Sequence, residues 1–490
     1  MNTQASLKKN FIMNALLTMS AFIFPLITFP YVSRVLGPDG TGRVSFGTSL
    51  ISYFALFSQL GIPTYGVRAC AKVRDDREAL SRTVRELLSI NAVMCAFTYV
   101  IFFAALVLIP RLHGDRMLYI IMSSTLLFNA FGMEWLYKGL EKYSYITIRS
   151  IAFKLISVVA MFLLVHQKSD YVVYGAITVF AASASQIMNF FHAHKYIDLK
   201  SAGRLDFRRH LRSIGIFFAM ACATTIYLHL DVVMLGFMTT DTDTGYYNAA
   251  VRIKQILVSI VTSLGTVLLP RASYYVELGK KEDFRRITGK ALHFVALIAV
   301  PVTVYFMLYA AEGIYFLSGP AYTGSISPMQ LIMPTVIFIG LTNIMGIQVL
   351  VPLGREKIVL YSEIAGAITD LILNAILIPR MQSAGAAIGT LAAEFVVLLV
   401  QYRALRDESI GEQLRRIPFA AIGIATLLAS LGSLWTRRLH VLSSTTWNSF
   451  VILAISAVLF FGIYVLFLTI RREPMMLEVE STVLKKLRRK

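Results

Sequence analysis

Apolar runs of about 20 residues recur along the whole sequence, and short polar stretches separate them. A run of that length crosses the hydrocarbon core of a membrane, roughly 30 Å thick, as an α-helix. The pattern therefore predicts an all-α polytopic membrane protein with about fourteen transmembrane helices. The expected spans are 11–33, 44–65, 87–110, 117–137, 147–166, 171–193, 213–237, 246–269, 291–311, 327–350, 358–379, 384–402, 417–435 and 447–470.

The polar break between the first two apolar runs is rich in turn-forming residues. The stretch "FPYVSRVLGPDGTGRVSF", residues 29–46, contains Gly37, Pro38, Asp39 and Gly40 in succession. Proline presets the φ of a turn, aspartate bonds to nearby backbone, and glycine permits positive φ. We expect the outer hairpin between helices 1 and 2 here. A phosphate-binding loop would require a preceding strand and a following Gly-Lys-Ser/Thr, which the stretch lacks.

The composition and the placement of charge agree with a membrane protein. Of the 490 residues, 56% are hydrophobic and 15% are charged. The net charge of +19 is also typical of nucleic-acid-binding proteins, but most of the 47 Lys and Arg residues follow even-numbered predicted helices. This is the positive-inside pattern, and it predicts that both termini are cytoplasmic. It leaves no separate basic surface for nucleic acid.

The sequence contains an internal repeat. The segment "LGPDGTGRVSF" from Leu36 is matched by "LGFMTTDTDTGYYN" from Leu235, six predicted helices later. A repeat of six helices in the same orientation predicts two parallel, pseudo-symmetric six-helix lobes around a central cavity, and rocking of the lobes opens it to either side. The predicted domains are an N-terminal lobe at 1–205, a C-terminal lobe at 206–410, and a C-terminal helix pair with a basic cytoplasmic tail at 411–490.

Several segments resemble a known family of transporters. They include "FPLITFPYVSRVLGPDGTGRVSFGTSLISYFALFSQLGIPTYGVR", "EWLYKGLEKYSYITIRSI", "TGYYNAAVRIKQIL" and "AGAAIGTLAAEFVVLLVQY". These segments are similar to those of the Wzx-type oligosaccharide flippases, the polysaccharide transporter family of the multidrug/oligosaccharidyl-lipid/polysaccharide (MOP) exporter superfamily. The likeness runs from about residue 7 to about residue 405. Many members of the family are described with twelve helices, so predicted helices 13 and 14 depart from that pattern.

The resemblance implies a transporter of the bacterial inner membrane that is not an enzyme. Such flippases move undecaprenyl-diphosphate-linked repeat units of O-antigen, capsule or exopolysaccharide from the cytoplasmic to the periplasmic leaflet. The implied partners are the lipid-linked oligosaccharide, membrane lipids, and the polymerase and chain-length regulator of the same pathway. No cofactor is implied. A proton, a sodium ion and the membrane potential all stay open as the energy source, and the sugar transported is not implied.

A polar stripe runs along predicted helix 8. Asn248, Arg252, Gln255 and Ser259 follow the i, i+4, i+7, i+11 spacing of one helix face, whereas Lys254 lies elsewhere. An ionisable side chain at bilayer depth usually faces a wet cavity, and a guanidinium is well suited to a diphosphate. We predict that Asn248, Arg252 and Gln255 contact the substrate. The alternative is a structural pair between Arg252 and a carboxylate.

Three other cations are candidates for substrate contact. Lys154 shares a face of predicted helix 5 with Ser150 and Ser157, and we predict that it faces the cavity. Arg34 ends predicted helix 1 near the outer surface, and Arg149 lies near the inner interface. For both arginines the alternative is that the long side chain extends to the membrane surface.

Three carboxylates are candidates for binding a coupling ion. Asp231 shares a face of predicted helix 7 with Thr224 and Tyr227, and Glu363 and Asp370 lie on one face of predicted helix 11. An acid in a cavity of low dielectric constant can exchange protons, because its charged form is disfavoured. Pairing with a basic residue is the structural alternative.

Two prolines predict a gate in helix 1. Pro25 lies inside the helix and Pro30 lies near its outer end. Prolines weaken the backbone hydrogen-bond ladder and bend transmembrane helices where neighbouring groups satisfy the freed carbonyls. A first helix that bends would gate the cavity, and a static kink is the alternative.

Other functions fit the sequence less well. A polytopic polysaccharide polymerase or ligase should have a large outer loop with clustered Arg, His or carboxylates, and the longest outer break, around 312–326, has few. A multidrug exporter should favour carboxylates in its cavity over the basic residues predicted here. A lipid II flippase is the nearer competitor, since fourteen helices are compatible with it. The cysteines are scattered and odd in number, which indicates neither a disulfide framework nor a metal cluster: Cys70, Cys95 and Cys222.

Overall fold

The computed structural model describes residues 3–198, 205–406, 410–439 and 442–477, so the end of the predicted basic tail lies outside it. These ranges contain α-helices, short 3-10 and π segments and no strand, which confirms the all-α class. The α-helices are α1 (Thr3–Gln59), α2 (Ile62–Lys72), α3 (Arg77–Leu108), α4 (Arg116–Phe131), α5 (Glu134–Gly139), α6 (Tyr143–Leu164), α7 (Tyr171–Val179), α8 (Ser185–His192), α9 (Arg208–Met238), α10 (Asp241–Glu277), α11 (Lys281–Leu308), α12 (Ala310–Leu317), α13 (Ile326–Ile332), α14 (Thr335–Thr342), α15 (Glu356–Ala404), α16 (Ile410–Arg415), α17 (Phe419–Ser433) and α18 (Thr445–Ile470).

The helices α1 and α15 are each long enough for two membrane passes. They contain 57 and 49 residues, and each is broken at a single residue with positive φ. In α1 this residue is Gly37, at φ 70°, and in α15 it is Gln382, at φ 52°. Glycine adopts positive φ without a Cβ clash, and Pro38 resumes the helix at a first position, where its missing N–H is not needed. The predicted turn is therefore a break confined to Gly37.

The number of membrane spans depends on how the broken helices are counted. In the described parts of the chain, ten helices are long and apolar enough to cross a membrane, or twelve if each of two bent pairs is one span. The two longest of these segments each cover two of the predicted spans: Ile12–Lys72 and Glu356–Ala404. The count of fourteen requires both to be divided at their breaks, and it stays a prediction.

Tertiary contacts divide the chain into two compact units, with the boundary after Gly245. The first unit holds α1 to α9 and the first turn of α10, and the second holds the remainder. The predicted boundary between residues 205 and 206 came from the repeat, and that division stays a prediction.

In the first unit, α1 packs against α3, α4, α6 and α9. One of its cores surrounds Phe46 and Tyr119, which are both fully buried and meet edge to face at 6.1 Å between ring centroids. A Cβ at Gly236 would lie 2.0 Å from the Phe46 ring, so α9 approaches α1 closely at this position. The aromatic core thus fixes one end of α9 beside α1.

In the second unit, the C-terminal helix pair α17 and α18 packs on α11 and α12. The Tyr464 hydroxyl donates to the Leu297 carbonyl at 2.8 Å, and the Tyr305 hydroxyl donates to the Leu453 carbonyl at the same distance. The Arg437 guanidinium lies 3.1 Å from the Glu312 carboxylate. The additional pair is therefore joined to this unit by hydrogen bonds between side chains and backbone as well as by apolar contact.

Candidate functional site

The first turn of α10 shows why this helix begins earlier than predicted. The Thr240 backbone N–H donates to the Asp243 carboxylate at 3.3 Å, and the Asp243 backbone N–H donates back to the Thr240 hydroxyl at 3.2 Å. This reciprocal arrangement is a capping box, which satisfies backbone groups at a helix start. The segment "TTDTDTG" is thus a helix cap that extends α10 to Asp241.

The predicted polar stripe lies on α10, just after this cap. Asn248 and Arg252 are half-buried, and Gln255 is exposed. Between the cap and the stripe, the Tyr247 hydroxyl lies 2.8 Å from the Thr390 hydroxyl and joins α10 to α15. Asn248, Arg252 and Gln255 therefore lie on a helix whose N-terminal part is attached to α15.

A buried polar cluster lies where the two halves of α15 meet. Asp370 is 5% exposed and Asn374 is fully buried. A Cβ at Gly389 would lie 2.1 Å from the Asn374 amide oxygen and 3.0 Å from an Asp370 carboxylate oxygen. Only glycine at position 389 lets these side chains approach the second half of the helix. The coupling-ion candidate Asp370 is thus enclosed by protein.

The other two coupling-ion candidates have different surroundings. Glu363 lies two turns before Asp370 on α15 and is half-buried. No donor or cation of the described residues lies within bonding distance of Glu363. Asp231 is also half-buried, but it belongs to α9 in the first unit. The three carboxylates therefore lie on two different helices, α9 and α15.

Lys154 contacts the first helix. Its ammonium nitrogen donates to the Ser20 hydroxyl at 2.8 Å and lies 6.0 Å from the centre of the Phe24 ring. The predicted gate residue Pro25 follows Phe24 directly. Ser20 and Phe24 are both neutral, and the Glu134 carboxylate is the acidic group that interacts with the Lys154 charge.

The predicted gate segment of α1 has helical backbone angles at Pro25 and Pro30, since Gly37 is where α1 departs from them. The Arg34 guanidinium donates to the Pro30 carbonyl oxygen, and the Thr28 hydroxyl donates to the Pro25 carbonyl oxygen at 3.4 Å. Arg34 is itself exposed. Side chains thus bond to backbone carbonyls where the prolines weaken the hydrogen-bond ladder of α1. The predicted gating role of Pro25 and Pro30 stays a prediction.

Arg149 is held inside the first unit. The residue is 6% exposed, and its guanidinium donates to the Asn189 amide oxygen on α8. It also lies 3.9 Å from the Glu134 carboxylate and 5.7 Å from the centre of the Tyr145 ring. The hydrogen bond to Asn189 joins α6 to α8.

A cluster that the sequence did not reveal surrounds Glu86, which has no solvent exposure. Its carboxylate accepts from Arg209 at 2.5 Å and 2.9 Å, from His210 at 2.7 Å, and from the backbone N–H of Asp206 at 2.7 Å. The Tyr65 hydroxyl lies 2.7 Å from the other ring nitrogen of His210. We call Tyr65, Glu86, Arg209 and His210 the Glu86 cluster.

A second unpredicted cluster lies at the opposite end of α9. Arg43 lies 2.9 Å from the Asp115 carboxylate and 3.8 Å from that of Asp241, and Arg111 forms an ion pair with Asp241. The Arg111 guanidinium also donates to the Gly236 carbonyl at 2.7 Å. We call Arg43, Arg111, Asp115 and Asp241 the Asp241 cluster. The sequence places these opposite charges in the short polar stretches between predicted helices, and that placement could have predicted the cluster.

Three comparisons place the chain among known proteins. Residues 7–276 match the family described as polysaccharide biosynthesis protein. Two relatives are described as "Putative O-antigen transporter". That of Escherichia coli K12 is 26% identical over 413 residues, which cover 84% of this chain and 99% of the relative. That of Shigella dysenteriae is 23% identical over 403 residues, which cover 82% and 100%.

A solved structure of the lipid II flippase MurJ, in an inward closed conformation, aligns with a TM-score of 0.74 and 14% sequence identity. The alignment covers 95% of this chain and 100% of that one. At this level of identity the similarity shows a shared fold. The family match and the two O-antigen transporter relatives confirm the resemblance that the sequence motifs predicted.

Proposed function

Because the chain belongs to the polysaccharide biosynthesis protein family, we propose that it flips undecaprenyl-diphosphate-linked oligosaccharide repeat units from the cytoplasmic to the periplasmic leaflet of a bacterial inner membrane. The O-antigen transporter relatives, aligned over nearly their full lengths, support a transporter and not an enzyme. Its apolar helices make the chain a multi-pass membrane protein, and its basic stretches support cytoplasmic termini. The proposed mechanism is alternating access. The product feeds O-antigen, capsule or exopolysaccharide assembly, with a polymerase and a chain-length regulator as partners.

The observation that carries this proposal is a cation inside a spanning helix. Arg252 is half-buried in α10, beside the half-buried amide of Asn248 on the same helix face. Charged groups at such depth are costly and usually line a wet cavity. The planar guanidinium forms paired hydrogen bonds with phosphate oxygens. We assign the substrate diphosphate to Arg252, and Asn248 and Gln255 to neighbouring polar contacts.

Three further cations have roles in the proposed transport path. Lys154 offers a positive charge beside α1, and Arg34 offers an exposed charge near Pro30. Arg149 is already bonded to Asn189 within the protein, so we assign it to positioning α6 against α8. Bending of α1 at Pro25 and Pro30 would then move the surroundings of Lys154 and Arg34 together.

We propose that a cation binds at one of the three candidate carboxylates and couples its gradient to transport. Asp370, enclosed beside Asn374, suits a bound ion that must be stripped of water. Glu363, which no described donor stabilises in its charged form, suits a proton that is taken up and released. Asp231 is the third candidate, on α9.

The test compares the leaflet location of undecaprenyl-diphosphate-linked oligosaccharide in cells with and without the chain. If the chain is the flippase, its loss strands finished repeat units on the cytoplasmic leaflet. Unpolymerised units in the periplasm would point to a polymerase instead. Unchanged lipid-linked oligosaccharide would overturn the proposal and favour export of another substrate.

The role of Arg252 is tested in the same assay with matched variants. Arg252→Ala should strand the repeat units, and Arg252→Lys should restore part of the transport, because an ammonium keeps the charge and loses the paired geometry. Lys254→Ala is the control, since Lys254 lies on another face of the same helix and is also half-buried. Normal transport by Arg252→Ala at normal protein level would exclude Arg252 from the substrate site.

A further inference from the structure

The C-terminal helix pair carries two exposed tryptophans at the end where α17 and α18 are connected. Trp435 is 55% exposed and Trp447 is 60% exposed. They lie within three residues of the ends of two candidate membrane spans, Phe419–Arg438 and Thr445–Ile470. Tryptophan is enriched where the hydrocarbon core meets the lipid headgroups. Both tryptophans thus mark the headgroup level at this end of the pair.

An arginine shares the exposed face of the first tryptophan. Both residues belong to a short 3-10 helix, Leu434–Arg438. Side chains three positions apart eclipse one another in a 3-10 helix, so Arg438 lies on the same face as Trp435. Arg438 is exposed, and no described residue forms a hydrogen bond or an ion pair with its guanidinium. This face therefore combines an indole with a cation that no described carboxylate neutralises.

Another side of the same 3-10 helix is fixed to the rest of the second unit. Thr436 is fully buried, and its hydroxyl lies 3.2 Å from the hydroxyl of Tyr309. The neighbouring Arg437 pairs with Glu312 through its Nε atom at 3.1 Å. Because these contacts fix the backbone of the helix, its exposed face has a defined orientation.

The second tryptophan is also held in place. The Trp447 ring meets the Phe450 ring edge to face, at 6.2 Å between ring centroids. The adjacent Asn448 side chain donates to the Leu439 carbonyl at 3.2 Å and accepts from the Leu442 backbone N–H at 3.1 Å. Asn448 thus joins the start of α18 to the chain that follows the 3-10 helix. The two tryptophans therefore belong to one ordered surface.

The charge of this surface is complementary to a phosphate group. Arg437 is neutralised by Glu312, whereas no carboxylate of the described residues pairs with Arg438. In the predicted topology this end lies on the outer side, where the positive-inside pattern makes Lys and Arg rare. A guanidinium forms paired hydrogen bonds with phosphate oxygens, which are the anionic groups of the headgroup layer. A lipid phosphate would therefore supply the acceptor for Arg438.

We propose that Trp435, Arg438 and Trp447 form a binding site for an anionic phospholipid. The Arg438 guanidinium binds the phosphate, and the two indoles pack against the glycerol and the upper part of the acyl chains. A zwitterionic lipid has the same phosphate, but its own ammonium group competes with the arginine. A basic residue at a membrane surface favours an anionic lipid about fivefold, so the site distinguishes lipids by net charge. The proposal does not depend on the substrate that the protein transports.

The test uses quenching of tryptophan fluorescence by lipids with brominated acyl chains. The third tryptophan of the chain, Trp135, is 4% exposed, so the quenching reports on Trp435 and Trp447. The purified full chain is reconstituted in phosphatidylcholine that contains increasing amounts of brominated phosphatidylglycerol or of brominated phosphatidylcholine. The two quenching curves give the relative affinity of the site for the anionic and the zwitterionic lipid.

Brominated phosphatidylglycerol should quench at about one fifth of the concentration of brominated phosphatidylcholine. Arg438→Gln should remove this preference, Arg438→Lys should retain part of it, and high salt should reduce it by screening. Arg116→Gln is the matched control, because it removes the same charge. Arg116 is also exposed, begins a candidate span and has no described bonding partner, but no tryptophan lies near it in the sequence.

Equal quenching by the two lipids in the unchanged protein would overturn the proposal, since the tryptophans would then contact lipids without regard to charge. A preference that persists in Arg438→Gln, or one that Arg116→Gln also removes, would overturn the assignment to Arg438. The reconstituted membranes contain no lipid-linked oligosaccharide. Failure of the lipid site is therefore distinguishable from failure of the proposed transport function.

Discussion

The Arg209 guanidinium bonds to a Glu86 carboxylate that has no solvent exposure, across 123 positions of sequence. The pair joins α3 to the start of α9, and His210 completes it from the next position. A buried charge is tolerated when it is paired and fully hydrogen-bonded. Glu86 thus has a structural role at the start of α9.

Glu86→Gln should lower the free energy of unfolding by about 1–3 kcal/mol, because a neutral amide is a weaker acceptor for the enclosed His210 and for Arg209, whose side chain is 38% exposed. The measurement is denaturant-induced unfolding of the purified protein. Asp39→Asn is the control, since that carboxylate is 56% exposed and pairs with Arg43 within one helix. A smaller effect of Glu86→Gln than of Asp39→Asn would contradict the role assigned to the buried cluster.

Gly42→Ala should prevent the close approach of α1 to the first turn of α10, because the new Cβ would meet the Asp241 carbonyl oxygen at 1.7 Å. The expected results are a lower melting temperature and impaired transport. Gly215→Ala is the matched control on α9, where a Cβ meets nothing within 4 Å. That control should be neutral or slightly stabilising, by up to about 1 kcal/mol, through helix propensity. A stable and active Gly42→Ala protein would refute the close contact.

Tyr464→Phe should weaken the attachment of α18 to α11 by about 1 kcal/mol, because the Leu297 carbonyl loses its donor. Thermal unfolding of the purified protein measures the effect. Tyr315→Phe is the control, since no hydrogen-bond partner of its hydroxyl occurs among the described residues. Equal melting temperatures for both variants would show that this hydrogen bond does not hold the C-terminal pair.

Glu363→Gln should abolish the response of transport to a pH gradient if Glu363 exchanges the coupling proton, because an amide cannot release one. Asp370→Asn should instead abolish a response to sodium if the enclosed site near Asn374 holds that ion. Transport into vesicles under separately imposed proton and sodium gradients distinguishes the two. Unchanged responses in both variants would leave Asp231 as the remaining candidate of the three.

Several features could be predicted from sequence because they depend on local order along the chain. The apolar runs predict an all-α membrane protein, since each spanning helix must satisfy its backbone hydrogen bonds internally. The break at Gly37 was predictable because glycine and proline have specific backbone preferences. The extent of the break was not predictable, because residues 38–40 continue as helix.

The sequence by itself determined the class of the protein and its family, because hydrophobicity and motifs are properties of neighbouring positions. Only the tertiary structure decided which charges meet. Glu86 and Arg209 are brought together by packing of α3 and α9, and Asp241 meets Arg111 through the placement of the first turn of α10. Helix periodicity says which face a residue occupies, but the partner of that face depends on how distant helices pack.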